Sequence, residues 1–122
     1  MMQLDPLQAA TTAVSASSAR PATAVLFDSA DARLVVFRIQ PGQRVAPHHN
    51  PSTVTLTVLR GEGFISGRDG ERLCRAGELV VFEPGETHGM RAEDAELMLL
   101  ATITPRPGER SPVVPVAHAE HA

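Results

Sequence analysis

The side chains best suited to chemistry are concentrated in one short segment of the chain. Residues 47–51 read "PHHNP", so His48, His49 and Asn50 stand between two prolines, and a further histidine, His88, lies later in the sequence. Imidazole nitrogens bind divalent transition metals, and they also exchange hydrogen bonds with polar ligands. The residue types alone therefore leave two interpretations open, a metal site or a hydrogen-bonding site.

A strand that follows this segment must position these side chains. The stretch "TVTLTVL" at residues 53–59 alternates threonine with aliphatic residues, which is typical of a strand with one face in the core. Val54 then points into the core. If the extended backbone continues backwards through Pro51, His48 and Asn50 share the face of Val54, and His49 lies on the opposite face.

The middle of the chain predicts an all-β fold. Short runs of Val, Ile, Leu, Phe and Thr alternate with turn residues, as in sandwiches and barrels. Gly61 predicts a break between two strands, and "GRDG" at 67–70 predicts a hairpin. The predicted strands occupy residues 24–27, 33–39, 53–59, 63–67, 71–74, 79–82, 88–92 and 96–104.

The ends of the chain differ in composition from the middle. The 122 residues fit a single domain. We divide them into an N-terminal arm at 1–22, a barrel at 23–104 and a Pro-rich flexible tail at 105–122. The arm is rich in Ala, Ser and Thr, and we expect it to be loose apart from a short helical turn after Asp5 and Pro6.

Composition argues against two classes of partner. The net charge is -3, the cations are all dispersed Arg, and Trp and Tyr are absent, which disfavours nucleic-acid binding. No apolar run approaches the ~18 residues needed to span a membrane.

The first residues do not resemble a secretory signal, and the single cysteine, Cys74, has no partner for an intrachain disulfide. We expect a cytoplasmic location.

Two motifs in order give the chain a family resemblance. The first runs Gly42, five residues, His48, one residue, Asn50, three residues, Val54, six residues and Gly61. The second is "GELVVFEPGETHGMRA", which begins at Gly77 and contains Gly85 and His88. The spacing resembles the two motifs of the cupins, with Glu83 and Ala92 replacing the usual Pro and Asn of the second motif.

The resemblance implies a fold and a site. The fold would be a double-stranded β-helix, which is a jelly-roll barrel enclosing a pocket. In a metal-bearing cupin, three histidines and a glutamate converge on one divalent metal. Here His48 and His88 match two of these ligands, while Asn50 and Val54 replace a histidine and the glutamate. His49 would then supply a third nitrogen, for Zn, Ni, Fe, Cu or Mn.

Two functional hypotheses follow from the resemblance. The first is a small-molecule-binding cupin in which the polar side chains form hydrogen bonds in an apolar pocket lined by Asn50, Val54 and Met90. The alternative is a metal-dependent enzyme of the oxygenase or isomerase type that uses His48, His49 and His88. The resemblance also implies a homodimer, to which either the arm before residue 24 or the face of Thr53, Thr55 and Thr57 would contribute.

Overall fold

The computed structural model of the chain describes residues 1–106. The predicted tail at 105–122, with His118 and His121, lies outside the described residues beyond Arg106. One short helix precedes eight strands. The elements are α1 (Pro6–Thr12), β1 (Ala22–Asp28), β2 (Arg33–Ile39), β3 (Arg44–His48), β4 (Thr53–Gly67), β5 (Gly70–Arg75), β6 (Leu79–Phe82), β7 (His88–Arg91) and β8 (Leu97–Thr104).

The strands form two antiparallel sheets that share β4. The first half of β4 pairs with β6 and β8, and β8 continues to β2 and β1. The second half of β4 pairs with β5 and β7, and β7 continues to β3. We call these the large sheet (β1-β2-β8-β4-β6) and the small sheet (β5-β4-β7-β3). The predicted all-β jelly-roll architecture is confirmed.

The core lies between the inner faces of the two sheets. Val54, Leu56 and Val58 on β4 are no more than 1% exposed, whereas the threonines between them are half-buried. This alternation confirms the predicted register of the strand. Burying such aliphatic side chains is the main stabilising contribution, about 1.5–3 kcal/mol for each.

The predicted break at Gly61 is wrong, because β4 runs through it as a single strand. Gly61 has φ +78°, and a side chain there would start 1.8 Å from the carbonyl oxygen of Glu96. The ladder with β8 also slips in register between Val58 and Arg60. A glycine together with a bulge bends the strand from the large sheet into the small one without ending it.

Strand β3 is absent from the sequence-based prediction. Its sequence, "RVAPH", contains Pro47, which argues against a strand because proline has no N–H to donate. Among the described strands β3 pairs only with β7, so it is an edge strand. An edge position tolerates a proline, since one side of the strand makes no ladder hydrogen bonds.

Part of the N-terminal arm is packed, contrary to the expectation that it is loose. Asp5 caps α1 by accepting a hydrogen bond from the backbone N–H of Gln8, and Pro6 begins the helix. Ala10 is fully buried against Val36 and Met98 on the outer face of the large sheet. Because alanine is small, the short helix α1 lies close to the large sheet at Ala10.

None of the helices in the described part of the chain is long and apolar enough to cross a membrane.

Candidate functional site

The centre of the candidate site is a pair of histidines on neighbouring strands. His48 at the end of β3 is the register partner of His88 at the start of β7, and their ring centroids are 4.5 Å apart. His48 is 4% exposed and His88 1% exposed. The fold therefore brings together the two histidines that the two motifs supply.

A bulge in β3 determines which neighbouring histidine turns inward. Val45 and His48 are both buried although they are three residues apart, and the ladder with β7 slips between them. In a regular strand the side chains at 45 and 48 would point to opposite faces. The slip turns His48 towards the core and leaves His49 exposed. From His48 to Val54 the alternation then continues without interruption, as predicted.

Asn50 is buried and holds the backbone around the site. Its side-chain oxygen accepts a hydrogen bond from the N–H of Ser52 at 2.9 Å. Its carbonyl oxygen accepts a second one from the N–H of Gly85 at 2.8 Å. The first bond is local to the turn before β4, and the second ties this turn to the turn before β7, which carries His88. In this structure Asn50 acts through the backbone that positions the two histidines.

Both imidazoles are oriented by backbone carbonyl groups. Nδ1 of His48 lies 3.0 Å from the carbonyl oxygen of Ala46, and Nδ1 of His88 lies 3.0 Å from that of Glu86. A carbonyl oxygen only accepts, so each Nδ1 carries the proton and donates. In a neutral ring Nε2 is then a hydrogen-bond acceptor. Nε2 of His88 is buried and has no hydrogen-bond partner among the described residues.

An apolar wall closes one side of His88. The ring of Phe82 stacks on its imidazole with centroids 4.5 Å apart and planes at 14°. Phe82 is in turn the register partner of Val54 on β4. Burial lowers the pKa of His88 to about 4, and the neighbouring His48 acts in the same direction. Near neutral pH His88 is therefore an uncharged acceptor.

Glu86 fixes the turn that carries His88. One carboxylate oxygen accepts from the N–H of Arg68 at 2.9 Å and the other from the N–H of Glu83 at 3.1 Å. These hydrogen bonds lower the pKa of Glu86, and the side chain connects the β4–β5 hairpin to the turn before β7. Sequence reasoning assigned no role to Phe82, Ser52 or Glu86. The one available signal was the alternation of β6, which places Phe82 on the inner face.

The remaining predicted site residues do not complete a set of metal ligands around the pair. Met90 is 2% exposed and belongs to the core cluster, where its register partners are Val45 and Ile65. His49 points away from His48, as the strand register requires. Within residues 1–106 no group of three or more His, Cys, Asp or Glu side chains is placed to hold a metal ion. The three-histidine set of His48, His49 and His88 is not assembled in this geometry.

The donor atoms present do not fit a four-ligand metal centre of the kind that the resemblance implied. Two imidazoles are available, but Val54 has no donor atom and is 1% exposed. The side-chain oxygen of Asn50 already accepts from Ser52. The ring of Phe82 and the side chain of Val54 put hydrocarbon where an anionic ligand would be needed. Without that anion, a divalent cation in a poorly solvated pocket lacks charge compensation.

Comparison with solved structures gives the same architecture. A conserved protein with a double-stranded β-helix domain from Klebsiella pneumoniae is 26% identical, with TM-score 0.70, over 79% of this chain and 86% of that one. An RmlC-like cupin protein from Desulfovibrio desulfuricans is 26% identical, with TM-score 0.73, over 86% and 98%. A "predicted oxalate decarboxylase" from Thermotoga maritima is 24% identical, with TM-score 0.66, over 70% and 80%, which shows the fold alone.

Sequence comparison identifies the family directly. No curated protein matches the chain. The family model described as "Cupin domain" matches residues 35–104, which run from within β2 to the end of β8 and include both motifs. The two motifs, the jelly-roll topology and the inward-facing His48 and His88 agree with this match. The chain belongs to the cupin family.

Proposed function

We propose that this protein binds a small molecule in the barrel through His48 and His88, without a resident metal. One observation carries the proposal, namely that Nε2 of His88 is buried and has no hydrogen-bond partner among the described residues. A buried acceptor without a partner costs about 1–3 kcal/mol. A bound ligand that donates a hydrogen bond removes this cost.

The protonation of the site restricts the chemistry of the ligand. Nδ1 of His88 donates to the carbonyl of Glu86, and the lowered pKa keeps the ring neutral at pH 7. Nε2 is therefore an acceptor and complements an O–H or N–H group of the ligand. A carboxylate offers neither group, so anionic acids without a hydroxyl are disfavoured. The hydrocarbon of Phe82 and Val54 beside the ring favours an apolar part next to that donor.

A ligand screen by thermal shift tests this function. Short alcohols, diols and amides are compared with carboxylates of the same chain length at pH 7. We expect the hydroxyl and amide compounds to raise the melting temperature of the native protein, and His88→Phe to remove the effect. His49→Gln is the matched control, because His49 is exposed and outside the pair. Equal shifts in the native protein and His88→Phe would refute the proposal.

A second candidate is a metal-dependent enzyme of the oxygenase or isomerase type. The observation that favours it is the orientation of the two rings, because metal-ligating histidines commonly donate their other ring nitrogen to a backbone carbonyl. His48 and His88 would hold one divalent transition metal, with His49 recruited by a turn of the backbone. The metal would supply a Lewis acid to the substrate. Metal content of the untagged protein separates this candidate from the first.

We also propose a homodimer in the cytoplasm. The outer face of β4 carries Thr53, Thr55 and Thr57, and the adjacent edge strand β6 exposes Leu79 and Val81 by more than half. Uncharged β-branched and aliphatic side chains on an open sheet face support burial against a second copy. Sedimentation at micromolar concentration tests this proposal, and the mass of a single chain would contradict it. Fractionation of the producing cells tests the compartment.

A further inference from the structure

A cavity lies between the free edges of strands β5 and β6, separated from the histidine pair by the ring of Phe82. Strands β5 and β6 each pair with β4, and in the described structure they do not pair with each other. Between them is a cavity of about 260 Å³. Its apolar wall consists of Ile65, Cys74, Val80 and Phe82. The volume is below the ~300–1,000 Å³ typical of sites for drug-sized ligands.

The rim of this cavity carries a cation without an ion pair. Arg72 lines the cavity and lies two residues from Cys74 on β5, so both side chains belong to the inner face of the small sheet. Cys74 is 6% exposed and part of the core cluster. The register partner of Arg72 is Ile65, which is also in the core. Within residues 1–106 the guanidinium of Arg72 makes no ion pair or side-chain hydrogen bond.

The same rim carries two carboxylates, of which one is already engaged. Both oxygens of Glu86 accept backbone N–H groups, from Arg68 and Glu83. Asp69 lines the cavity at the tip of the β4–β5 hairpin and has no ion pair in the described part of the chain. Arg72 and Asp69 are not paired with each other either. The cavity thus has an apolar floor and one uncommitted charge of each sign at its rim.

We propose that this cavity binds a small zwitterion with an apolar side chain, the chemistry of an aliphatic α-amino acid. The carboxylate of the ligand pairs with Arg72, its ammonium group pairs with Asp69, and its side chain packs on Ile65, Val80 and Phe82. A fork of guanidinium N–H donors suits a carboxylate, and both charged ends stay partly solvated at the rim. Phe82 separates this site from His88, because the same ring lines the cavity and stacks on the imidazole.

The chain contains a reporter for this cavity. Cys74 is its single cysteine, and its thiol is buried on the cavity wall. The rate at which iodoacetamide alkylates Cys74 therefore reports access through the cavity. L-Leucine is compared with 4-methylpentanoate, which lacks the ammonium group, and with 3-methylbutylamine, which lacks the carboxylate. We expect leucine at ten times its Kd to slow alkylation roughly tenfold. Each analogue should need a higher concentration than leucine to give the same protection.

Two variants test whether Arg72 binds the carboxylate of the ligand and Asp69 its ammonium group. Arg72→Gln should weaken protection by leucine roughly tenfold, which is the value of one charge-assisted hydrogen bond, and leave protection by 3-methylbutylamine unchanged. Asp69→Asn should weaken protection by leucine and by 3-methylbutylamine, and leave protection by 4-methylpentanoate unchanged. Arg75→Gln is the matched control, because Arg75 is an exposed arginine on the same strand with its side chain on the opposite face.

The outcomes separate a built site from general stabilisation. Protection by leucine that is the same in Arg72→Gln, Asp69→Asn and the native chain would overturn the proposal, as would no protection at any concentration. Protection by leucine that persists in His88→Gln and is weakened in Arg72→Gln supports a site separate from the histidine pair. Loss of protection in His88→Gln with retention in Arg72→Gln would assign the effect to the histidine pair and overturn the second site.

Discussion

The imidazole rings of His48 and His88 lie against each other as register partners of β3 and β7, with centroids 4.5 Å apart and planes tilted by 59°. The bulge in β3 makes this pairing, because it turns His48 inward in place of its neighbour His49. Phe82 covers one face of His88, and the backbone of Glu86 holds its Nδ1 proton. The site is thus a buried imidazole pair in which His88 is an uncharged acceptor beside a hydrocarbon wall.

Stability should fall as the pH is lowered from 7 to 5, because of His88. Its pKa is about 4 in the folded protein and 6.5 as its ordinary value, so the unfolded chain binds a proton that the folded one excludes. We expect a loss of about 2 kcal/mol in the free energy of unfolding over this range, above the pH where carboxylates titrate. Of the charged groups nearby, His48 and His49 act with burial and Glu86 opposes it.

Urea unfolding at several pH values measures this dependence. His88→Gln removes the titrating group and should flatten the profile between pH 7 and 5, whereas His49→Gln should keep most of the slope, because burial is the largest cause of the lowered pKa of His88. A native profile that is already flat across this range would show that the ring is protonated in the folded protein as readily as in the unfolded chain.

Replacement of Phe82 by leucine should raise the pKa of His88 towards its ordinary value. Leucine covers less of the imidazole and admits water, which reduces the burial that lowers the pKa. The stability cost should be roughly 1–2 kcal/mol, since Phe82 is buried in the core. NMR titration of the imidazole Cε1 proton measures the pKa. Phe27→Leu on β1, at a partly buried position outside the stack, is the control, and the same shift in both variants would contradict the role of the stack.

Gly61→Ala should cost much more stability than Gly70→Ala. Both glycines have positive φ, +78° and +105°, so each alanine is strained by about 1–2 kcal/mol. At Gly61 the new Cβ would also start 1.8 Å from the carbonyl oxygen of Glu96, while at Gly70 nothing lies within 4 Å. We expect a loss above roughly 4 kcal/mol for Gly61→Ala. Denaturant unfolding of both variants gives the difference, and equal losses would show that β4 bends without this close approach.

Ala10→Leu should destabilise the protein by about 1–3 kcal/mol through overpacking between α1 and the large sheet. Ala10 is fully buried against Val36 and Met98, so the extra carbons have no room. Thr12→Leu places the same side chain at an exposed position of the helix and should change stability by less than ~0.5 kcal/mol. If Ala10→Leu changed the stability as little as Thr12→Leu, α1 would not be packed against the large sheet in solution.

The fold and half of the site were predictable because their signals are local or periodic. Alternation from Thr53 to Leu59 fixed the inner face of β4, and its phase held backwards across Pro51 to Asn50 and His48. The motif spacing paired His48 with His88 because residue intervals between glycine-marked turns are constrained by the barrel. The division of the chain at residues 22 and 104 stays a prediction.

Features that arise from tertiary contacts were missed or mispredicted. Strand β3 was missed because of Pro47, since the sequence does not distinguish an edge strand from a loop that contains proline. Gly61 marks a bend between sheets and not an end of a strand, which depends on the distant carbonyl of Glu96. Phe82 meets His88 across two strands that the ladder with β4 aligns. No spacing along the chain reports such a contact.

The metal content of the untagged protein tests the central claim most directly. The native chain, His48→Ala, His88→Ala and the double variant Asn50→His, Val54→Glu, which restores the family's ligand types, are each incubated with equimolar divalent metals, desalted and measured by mass spectrometry. The account predicts folded native protein without stoichiometric metal, and metal retained by the double variant at a higher level. Near-stoichiometric metal in the native chain that is lost in both alanine variants would contradict it and favour the metal-dependent enzyme.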